Sequence, residues 1–242
     1  MENRWQEIWN KRKLNENNIK IGGAERRRRF LELKRCDGFD VTGEGIPYES
    51  FLANHRLLCQ KLGLQKGDSV FEVGCGSGAN LFLLLQDGCN IGGMDYSAAL
   101  IDIMKDVFPA EALCECYVAE ASQLRTDIRY DAVFSDGAFH YFPSLAYAEN
   151  VMEKMLEKAT GDIAVIDVPD AEQESAYLAQ RRAQIPDYDE RYEGLSRLFY
   201  PHSFFKAFAE KHGLIAEFLP YQLKNYWNNG YVYSCFLHRK TE

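Results

Sequence analysis

Residues 71–79 read Phe-Glu-Val-Gly-Cys-Gly-Ser-Gly-Ala, an apolar segment that runs into three glycines spaced two residues apart. The apolar run begins at Ser69 and a helical pattern follows from Ala79 to Gln86, so residues 69–88 are typical of a strand, a tight turn and a helix. Glycines let the backbone of such a turn approach a ligand closely, and the first N–H groups of the helix have no partner within it. This stretch therefore predicts a ligand-binding turn at the end of a buried strand.

The same alternation of strand and helix continues along the chain. Apolar runs predict further strands at 91–95, 114–119, 130–136 and 162–168, with helices near 98–108 and 145–158 between them. Alternation of this kind is typical of an α/β fold with right-handed crossovers and a parallel sheet covered on both faces. Two last strands, at 214–220 and 231–238, are joined by a segment too short for a crossover helix. They predict a C-terminal antiparallel hairpin.

Two segments depart from this alternation. Residues 1–50 carry apolar side chains at helix-compatible spacing and then a Gly-rich turn, so we predict a helical N-terminal cap ahead of a domain at 51–242, which begins within an amphipathic helix at 48–62. Residues 171–200 follow the fifth strand and are polar, with Pro186 interrupting them. Ligands of such sheets bind beyond the carboxyl ends of the strands, so an insertion here is predicted to form a lid over the site.

Composition agrees with one globular domain and a small appendage. The chain has 242 residues, of which 46% are hydrophobic and 26% charged. Seven scattered cysteines, an odd number, predict free thiols in a reducing compartment rather than a disulfide framework. The longest apolar run has five residues, at 81–85, and the start of the chain is polar. We therefore expect a cytoplasmic protein with no membrane partner.

Charge is distributed unevenly along the chain. The net charge of −8 combines +6 in residues 1–35 with −14 in the rest, and the basic residues concentrate at 11–13 and 26–29. These clusters could contact the phosphates of a nucleic acid or an anionic substrate. We favour a helix with a solvated basic face that docks on an acidic body, because no repeated basic-aromatic pattern follows.

The glycine turn alone leaves two ligand classes open. Read as G-x-G-x-x-A, it also fits a dinucleotide site. Asp95, at the end of the second predicted strand and 21 residues after Gly74, is placed to accept hydrogen bonds from ribose hydroxyls in either case. The spacing therefore indicates an adenosine-type ligand.

Two motifs carry a resemblance to a known family. Residues 70–80 resemble the first motif of class I S-adenosylmethionine-dependent methyltransferases, and Gly-Gly-Met-Asp-Tyr-Ser at 92–97 resembles their second-strand motif. The resemblance extends from about residue 51 to the C-terminus. It implies a Rossmann-like, seven-stranded, mostly parallel sheet, with S-adenosylmethionine as cofactor and S-adenosylhomocysteine as its product. Glu72 favours this donor over a dinucleotide, because a carboxylate there attracts a sulfonium and an ammonium but repels a pyrophosphate.

The resemblance also implies a set of cofactor-binding residues. Glu72 is expected near the methionine end, Asp95 at the ribose hydroxyls, Tyr96 on the adenine, and Glu120 at the adenine amino group, where the family more often has Asp. The complete set lies in the glycine turn and after the second, third and fourth strands: Glu72, Gly74, Cys75, Gly76, Gly78, Asp95, Tyr96, Glu120, Ala121, Ser135 and Asp136.

A catalytic residue and two acceptor-binding residues are predicted. Methyl transfer is an in-line displacement, so the protein must mainly align the acceptor, and a base is needed only where the acceptor loses a proton. His140 follows the fourth strand and has a reference pKa of about 6.5, so it is the candidate base. Tyr141, and also Tyr48, are expected to line the acceptor pocket.

No metal site is predicted. Cys114 and Cys116 have no second Cys/His pair, and alternation along a strand explains their spacing. Asp167 and Asp170 end the fifth strand, and Mg²⁺ there, as in catechol-type methyltransferases, is disfavoured because no second acidic cluster accompanies them.

The acceptor is predicted to be a small molecule. Base-amino methyltransferases of this fold carry an Asn/Asp-Pro-Pro-Tyr-like motif after the fourth strand, whereas residues 135–138 read Ser-Asp-Gly-Ala, with no cysteine nucleophile near that strand. An acidic body also disfavours contacts with phosphate backbones, so nucleic acid is not the expected partner. We expect transfer to an O or N atom of a metabolite or sugar-like acceptor. Two alternatives stay open: an RNA or protein methyltransferase that docks through the basic N-terminal segment, and a non-catalytic S-adenosylmethionine-binding protein.

Overall fold

A computed structural model describes residues 4–15, 25–195 and 197–240. Its helices and strands follow in chain order: α1 (Arg4–Trp9), α2 (Glu25–Cys36), α3 (Tyr48–Lys61), β1 (Ser69–Val73), α4 (Ala79–Gln86), β2 (Asn90–Asp95), α5 (Ala98–Val107), β3 (Leu113–Val118), β4 (Ala132–Asp136), α6 (Leu145–Lys158), β5 (Ile163–Pro169), α7 (Glu174–Gln184), α8 (Tyr188–Arg191), α9 (His202–His212), β6 (Leu214–Pro220) and β7 (Val232–Arg239).

The seven strands form one sheet in the order β3-β2-β1-β4-β5-β7-β6. β1 to β5 pair in parallel, and β7 runs antiparallel to both β5 and β6. The predicted α/β fold with a C-terminal antiparallel hairpin is therefore confirmed. Strand order reverses between β1 and β4, because β1 pairs with β2 on one side and with β4 on the other. Parallel sheets bind ligands at such a switch point, beyond the carboxyl ends of the strands.

Helices cover both faces of the sheet, which explains the continuous apolar runs of its central strands. One core cluster joins the sheet to α2, α3, α4 and α5, for example through Phe30, Phe51 and Leu81. The other joins it to α6 and α9, for example through Val151 and Phe205. β5 lies between the two clusters and is buried along its whole length.

The basic run at 26–29 lies on α2, whose apolar side belongs to the first core cluster through Phe30 and Leu33. Arg26 pairs with Asp87 at 3.5 Å, and Arg27 pairs with Glu49 at 3.2 Å. These contacts agree with a basic helix docked on an acidic body. They also pair Arg26 and Arg27 with acidic side chains.

The segment at 171–200 leaves the sheet and returns to the same place. It contains a 3₁₀ turn at 171–173 and then α7 and α8, with Pro186 between them. The backbone N–H of Tyr200 donates to the carbonyl of Pro169 at 2.8 Å, so both ends of the segment meet at the carboxyl end of β5.

All seven cysteines are free, as expected. Within the described ranges, no helix has the length and apolarity needed to span a membrane.

Candidate functional site

A cavity of about 710 Å³ opens at the carboxyl ends of the parallel strands, within the size range of small-molecule sites. Two groups of its lining residues provide polar and aromatic side chains for a ligand. The turn side consists of residues around the glycine turn and the ends of β2, β3 and β4: Lys34, Asp37, Glu72, Gly74, Cys75, Gly76, Asn80, Asp95, Tyr96, Glu120, Ala121 and Asp136. The aromatic side consists of Trp5, Trp9, His140, Tyr141, Asp167, Arg197, Tyr226, Trp227 and Asn228.

The glycine turn is shaped by close backbone contacts. Gly74 and Cys75 both donate their N–H groups to the carbonyl of Met94, at 2.8 and 2.9 Å, which fixes the turn against β2. Gly74 has a φ of +73°, and a Cβ there would lie 2.4 Å from the Cβ of Ala138. Gly76 has a φ of +56°, and a Cβ there would lie 2.5 Å from a carboxylate oxygen of Asp37. Both positions therefore require glycine for backbone conformation and for space.

Glu72 presents a carboxylate oxygen to this cavity from within the sheet. Its side chain is 1% exposed, and Oε1 accepts a hydrogen bond from Nδ2 of Asn80 at 2.7 Å. Oε2 is buried with no hydrogen-bond partner among the described residues. Burial, together with the charge of Asp136, raises the pKa of Glu72 well above its usual value. A carboxylate in this state gains from a nearby positive charge, so its surroundings fit a cationic ligand.

Asp95 is fixed between the turn and the start of α5. One carboxylate oxygen accepts from the N–H of Gly76 at 3.0 Å, and the other accepts from the N–H of Ser97 at 2.8 Å. Burial raises the pKa of Asp95 to about 6, although both hydrogen bonds act in the opposite direction. Each oxygen keeps a second lone pair, so the carboxylate can accept from hydroxyls in the cavity.

Two further turn-side residues, Lys34 on α2 and Asp37 directly after it, were not predicted from the sequence. Lys34 is 3% exposed, with Nζ 3.7 Å from a carboxylate oxygen of Asp136 and 4.8 Å from the ring centroid of Phe39. Asp37 accepts from the N–H of Ser77 at 2.7 Å, and burial raises its pKa to about 6. In the sequence Lys34 belongs to the basic front segment, which gives no signal that its charge is buried.

Helix α1 packs over the turn side of the cavity, next to the carboxyl end of β2. Nε2 of Gln6 donates to the carbonyl of Tyr96 at 2.8 Å, and Oγ of Ser97 donates to Oδ1 of Asn10 at 2.9 Å. Tyr141 packs against both tryptophans of this helix, with ring centroids 4.9 Å from Trp5 and 5.8 Å from Trp9. The N-terminal segment is therefore part of the cavity wall.

Three of the predicted site residues lie outside the cavity lining. Gly78 begins α4 with a φ of +85°, and a Cβ there would lie 3.0 Å from Cγ of Met104. Ser135 is fully buried in β4. Tyr48 packs edge-on against Phe30, at a centroid distance of 5.4 Å. The other nine predicted cofactor residues line the turn side, and His140 and Tyr141 line the aromatic side.

His140 is a buried, neutral imidazole. It lies in a 3₁₀ turn after β4 and is 5% exposed. In the part of the chain that the structure describes, neither ring nitrogen has a hydrogen-bond partner. Burial, reinforced by the charge of Arg197, lowers the pKa of His140 well below 6.5. The ring can therefore accept or donate one hydrogen bond in the cavity, but it is a weak base.

Asp167 is a second candidate base, at a position where the sequence analysis considered only metal binding. The register between β5 and β7 shifts between Val165 and Val168, and Asp167 itself has a φ of +55°. A β-bulge of this kind redirects a side chain, and it is a common feature beside active sites. A charged residue inside an otherwise apolar strand was the sequence signal that could have revealed it.

The Asp167 carboxylate belongs to a short chain of hydrogen bonds. The Tyr226 hydroxyl donates to Oδ2 at 2.7 Å, and Nδ2 of Asn228 donates to that hydroxyl at 2.6 Å. Oδ1 is buried with no partner among the described residues. Burial and the charge of Asp136 raise the pKa of Asp167 to about 7. The group can thus exchange a proton near neutral pH, where general bases are most effective.

One three-residue cluster in the described ranges has the spacing to hold a metal ion. It consists of His55, Cys59 and Asp87, and none of the three lines the cavity. Nε2 of His55 is 2.6 Å from a carboxylate oxygen of Asp87. Asp167 and Asp170 do not form such a cluster with any other described residue.

Comparison with known proteins agrees with this geometry. Residues 71–165 match the family model described as a methyltransferase domain. The chain contains a methyltransferase domain. The resemblance carried by the two sequence motifs is thereby confirmed, as is S-adenosylmethionine as the cofactor of this domain. A search of curated proteins returns no match.

Solved structures of methyltransferases share the fold of this domain. Magnesium protoporphyrin IX methyltransferase from Synechocystis PCC 6803 is 15% identical, with a TM-score of 0.56 over 98% of this chain and 93% of its own. Geranyl diphosphate C-methyltransferase from Streptomyces coelicolor A3(2) is 12% identical, with a TM-score of 0.61 over 99% of both chains. A TehB-like S-adenosylmethionine-dependent methyltransferase from Corynebacterium glutamicum is 17% identical, with a TM-score of 0.54 over 88% of this chain and 95% of its own. At these identities the likeness concerns the fold.

Proposed function

We propose that the protein transfers a methyl group from S-adenosylmethionine to an O or N atom of a small-molecule acceptor. In this proposal residues 51–242 form the catalytic domain, residues 1–50 form its N-terminal cap, and residues 171–200 form a lid. The observation that carries it is the joining of an acid-lined glycine turn and an aromatic pocket with two candidate bases in one cavity.

The turn side fits the methyl donor. Oε2 of Glu72 has no protein partner among the described residues and suits the positive charges of the donor, while Lys34 suits its carboxylate. We assign Asp95 to the ribose hydroxyls, and Tyr96 with Glu120 to the adenine, because all three line the turn side. When bound, the donor supplies a methyl carbon that its sulfonium has already activated.

The aromatic side fits the acceptor, and we assign two roles there. Asp167, once ionised, takes the proton that an acceptor hydroxyl or amine loses, because Oδ1 is available and its pKa is about 7. His140, which is neutral, orients the acceptor through one hydrogen bond. A Cβ at Gly137 would lie 3.6 Å from Oδ2 of Asp167 and 4.0 Å from Cε1 of His140, so the two side chains flank the same point.

A small acceptor is favoured over RNA or protein by the contacts of α1. Gln6 binds the carbonyl of Tyr96, and Trp5 packs on Tyr141, so a macromolecule would have to displace this helix to reach the cavity. The acidic partners of Arg26 and Arg27 also weaken the basic patch that the RNA alternative requires.

Calorimetry with S-adenosylhomocysteine tests the donor site. We expect the wild type to bind it and Asp95→Ala to lose about 10-fold to 100-fold in affinity, the worth of one or two hydrogen bonds to a charged group. Asp102→Ala, an exposed carboxylate on α5, is the matched control and should bind normally. Unchanged binding by Asp95→Ala would contradict the site.

Incubation of the metabolite, RNA and protein fractions of a cell extract, each with labelled methyl donor, tests catalysis. We expect a labelled small product and no labelled RNA or protein. A protein that binds S-adenosylhomocysteine but labels nothing would instead support the non-catalytic alternative.

A further inference from the structure

Arg197 carries a positive charge into the aromatic side of the cavity. Its side chain lines the cavity, and within the described ranges no carboxylate lies within the 4.0 Å of an ion pair with it. Its guanidinium carbon lies 5.9 Å from the Trp5 ring centroid, 5.9 Å from that of Tyr177 and 5.7 Å from that of Trp227. These rings stabilise the cation through cation–π contacts, but none of them neutralises its charge.

Backbone contacts hold this arginine in place. The N–H of Leu198 donates to the carbonyl of His140 at 3.0 Å, and that of Tyr200 donates to the carbonyl of Pro169 at 2.8 Å. Arg197 is thereby fixed beside the segments that follow β4 and β5, which carry the two candidate bases. The backbone position of Arg197 is therefore set by the fold.

The neighbouring carboxylate does not neutralise this charge by direct contact. Oδ2 of Asp167 accepts from the Tyr226 hydroxyl, and burial raises the pKa of Asp167 to about 7. The planar guanidinium therefore keeps its fork of donors for a ligand, and carboxylate and phosphate match that fork. Low polarity around it strengthens such a pairing.

Aromatic rings surround the space next to Arg197 where a carboxylate or phosphate ligand would lie. Trp5 packs on Tyr141, and Trp227, which is 36% exposed, lies beside Tyr226. Flat apolar faces of a ligand pack well on such rings.

The geometry points to an acceptor that is itself an anion: a ring compound with a carboxylate or phosphate that Arg197 binds, its ring packed against the aromatic side. The inference rests on the proposed function, since it assigns the acceptor of that site. Aryl acids and sugar acids or sugar phosphates share this chemistry, and the experiment separates them.

Tryptophan fluorescence, with the protein saturated with S-adenosylhomocysteine, measures the binding of matched probes. The pairs are benzoate with benzamide, phenyl phosphate with phenol, glucuronate with glucose, and glucose 6-phosphate with glucose. We expect at least one anion to bind about 10-fold or more tightly than its neutral counterpart, as a charge-assisted pair predicts. Binding of the aryl anions alone would identify the acceptor as an aromatic compound, and binding of the sugar anions alone would identify it as a sugar derivative.

Variants of the arginine test the assignment to this residue. Arg197→Gln is expected to remove the preference for the anion, and Arg197→Lys is expected to keep part of it. Both variants should bind S-adenosylhomocysteine with an affinity within about 2-fold of that of the wild type. Arg182→Gln is the matched control, because Arg182 is exposed on the same segment and pairs with Asp189. Thermal melting checks that each variant is folded.

Three results would overturn the inference. The first is that no anion binds more tightly than its neutral counterpart. The second is that Arg197→Gln keeps the preference for the anion. The third is that Arg197→Gln loses the binding of S-adenosylhomocysteine instead of the binding of the anion. Failure of the wild type to bind S-adenosylhomocysteine would be a different result, since it would reject the proposed function itself.

Discussion

The two sides of the cavity are built in different ways. Most of the turn side comes from short stretches at the ends of consecutive strands, such as 72–76, 95–96 and 120–121. The aromatic side combines Trp5, His140, Asp167, Arg197 and Tyr226, which lie in five separate parts of the chain. A site made of strand ends can be recognised from local spacing, whereas one made of distant segments exists only after folding.

The two sides also differ in charge. Five carboxylates, those of Asp37, Glu72, Asp95, Glu120 and Asp136, lie on the turn side with one lysine, the buried Lys34. On the aromatic side the charge is reversed, because Arg197 faces a neutral His140 and a carboxylate whose pKa is about 7. This contrast suits a cationic donor on one side and an anionic acceptor on the other.

The largest effect is expected from the turn itself. In Gly74→Ala the new Cβ would lie 2.4 Å from that of Ala138, at a φ of +73°. We expect loss of S-adenosylhomocysteine binding in calorimetry and a free energy of unfolding about 2–4 kcal/mol lower, from left-handed strain and overpacking together. Gly63→Ala is the control, because Gly63 has a φ of +64° but nothing within 4 Å of a Cβ. Equal destabilisation of the two variants would show that the close approach is unimportant.

The next effect separates the two candidate bases of the aromatic side. Asp167 must be ionised to accept a proton, so the wild-type rate should rise with pH up to about 7 and then level off. Asp167→Asn should lower kcat about 100-fold or more and remove this dependence. His140→Gln should keep the pH profile of the wild type and lose less kcat than Asp167→Asn. The measurement is the pH dependence of kcat, and an unchanged profile in Asp167→Asn would reject the role of Asp167 as base.

Stability should also depend on pH, because both sides bury carboxylates. Burial raises the pKa of Asp37 and Asp95 to about 6 and that of Asp167 to about 7. Between about pH 4 and pH 7 the folded protein therefore binds more protons than the unfolded chain at these groups, so its stability should fall as pH rises. Thermal melting should show this fall, and it should be smaller in Asp167→Asn.

Asp131→Asn is the matched control, because this carboxylate is expected to change the stability with pH in the opposite direction. The hydrogen bonds from Ser69 lower the pKa of Asp131, so this carboxylate contributes stability that is present at neutral pH and lost in acid. Asp131→Asn should therefore reduce stability at pH 7 rather than increase it. A melting temperature of Asp167→Asn that follows pH as steeply as that of the wild type would contradict the assignment.

The smallest effect concerns the contact between α1 and the turn side. Gln6→Ala removes the hydrogen bond to the carbonyl of Tyr96, so the affinity for S-adenosylhomocysteine should fall about 2-fold to 10-fold. Glu7→Ala, an exposed position on the same helix, should have no effect. Calorimetry distinguishes the two, and identical affinities would show that α1 does not close over the donor.

Fold prediction succeeded where the pattern of apolar residues repeats locally. The predicted helix at 145–158 and strand at 214–220 coincide with α6 and β6, and the strand predicted at 130–136 begins two residues later, because Tyr130 forms only an isolated bridge with Ala159. The front segment was harder to interpret. Its basic composition hid Lys34, which is buried, and Asp37, which is half-buried, because the apolar side of α2 packs on the core.

The alternating α/β fold, the glycine turn and the carboxylates at the strand ends could be predicted from the sequence, because each depends on residues close together in the chain. Three features became visible only in the folded chain: a bulge turns Asp167 into the cavity, Arg197 lies beside His140 without an ion-pair partner among the described residues, and Tyr48 lies outside the cavity lining. The reason is physical. Burial and neighbouring charges, which set the protonation and binding preference of these groups, arise from segments that meet only when the chain is folded.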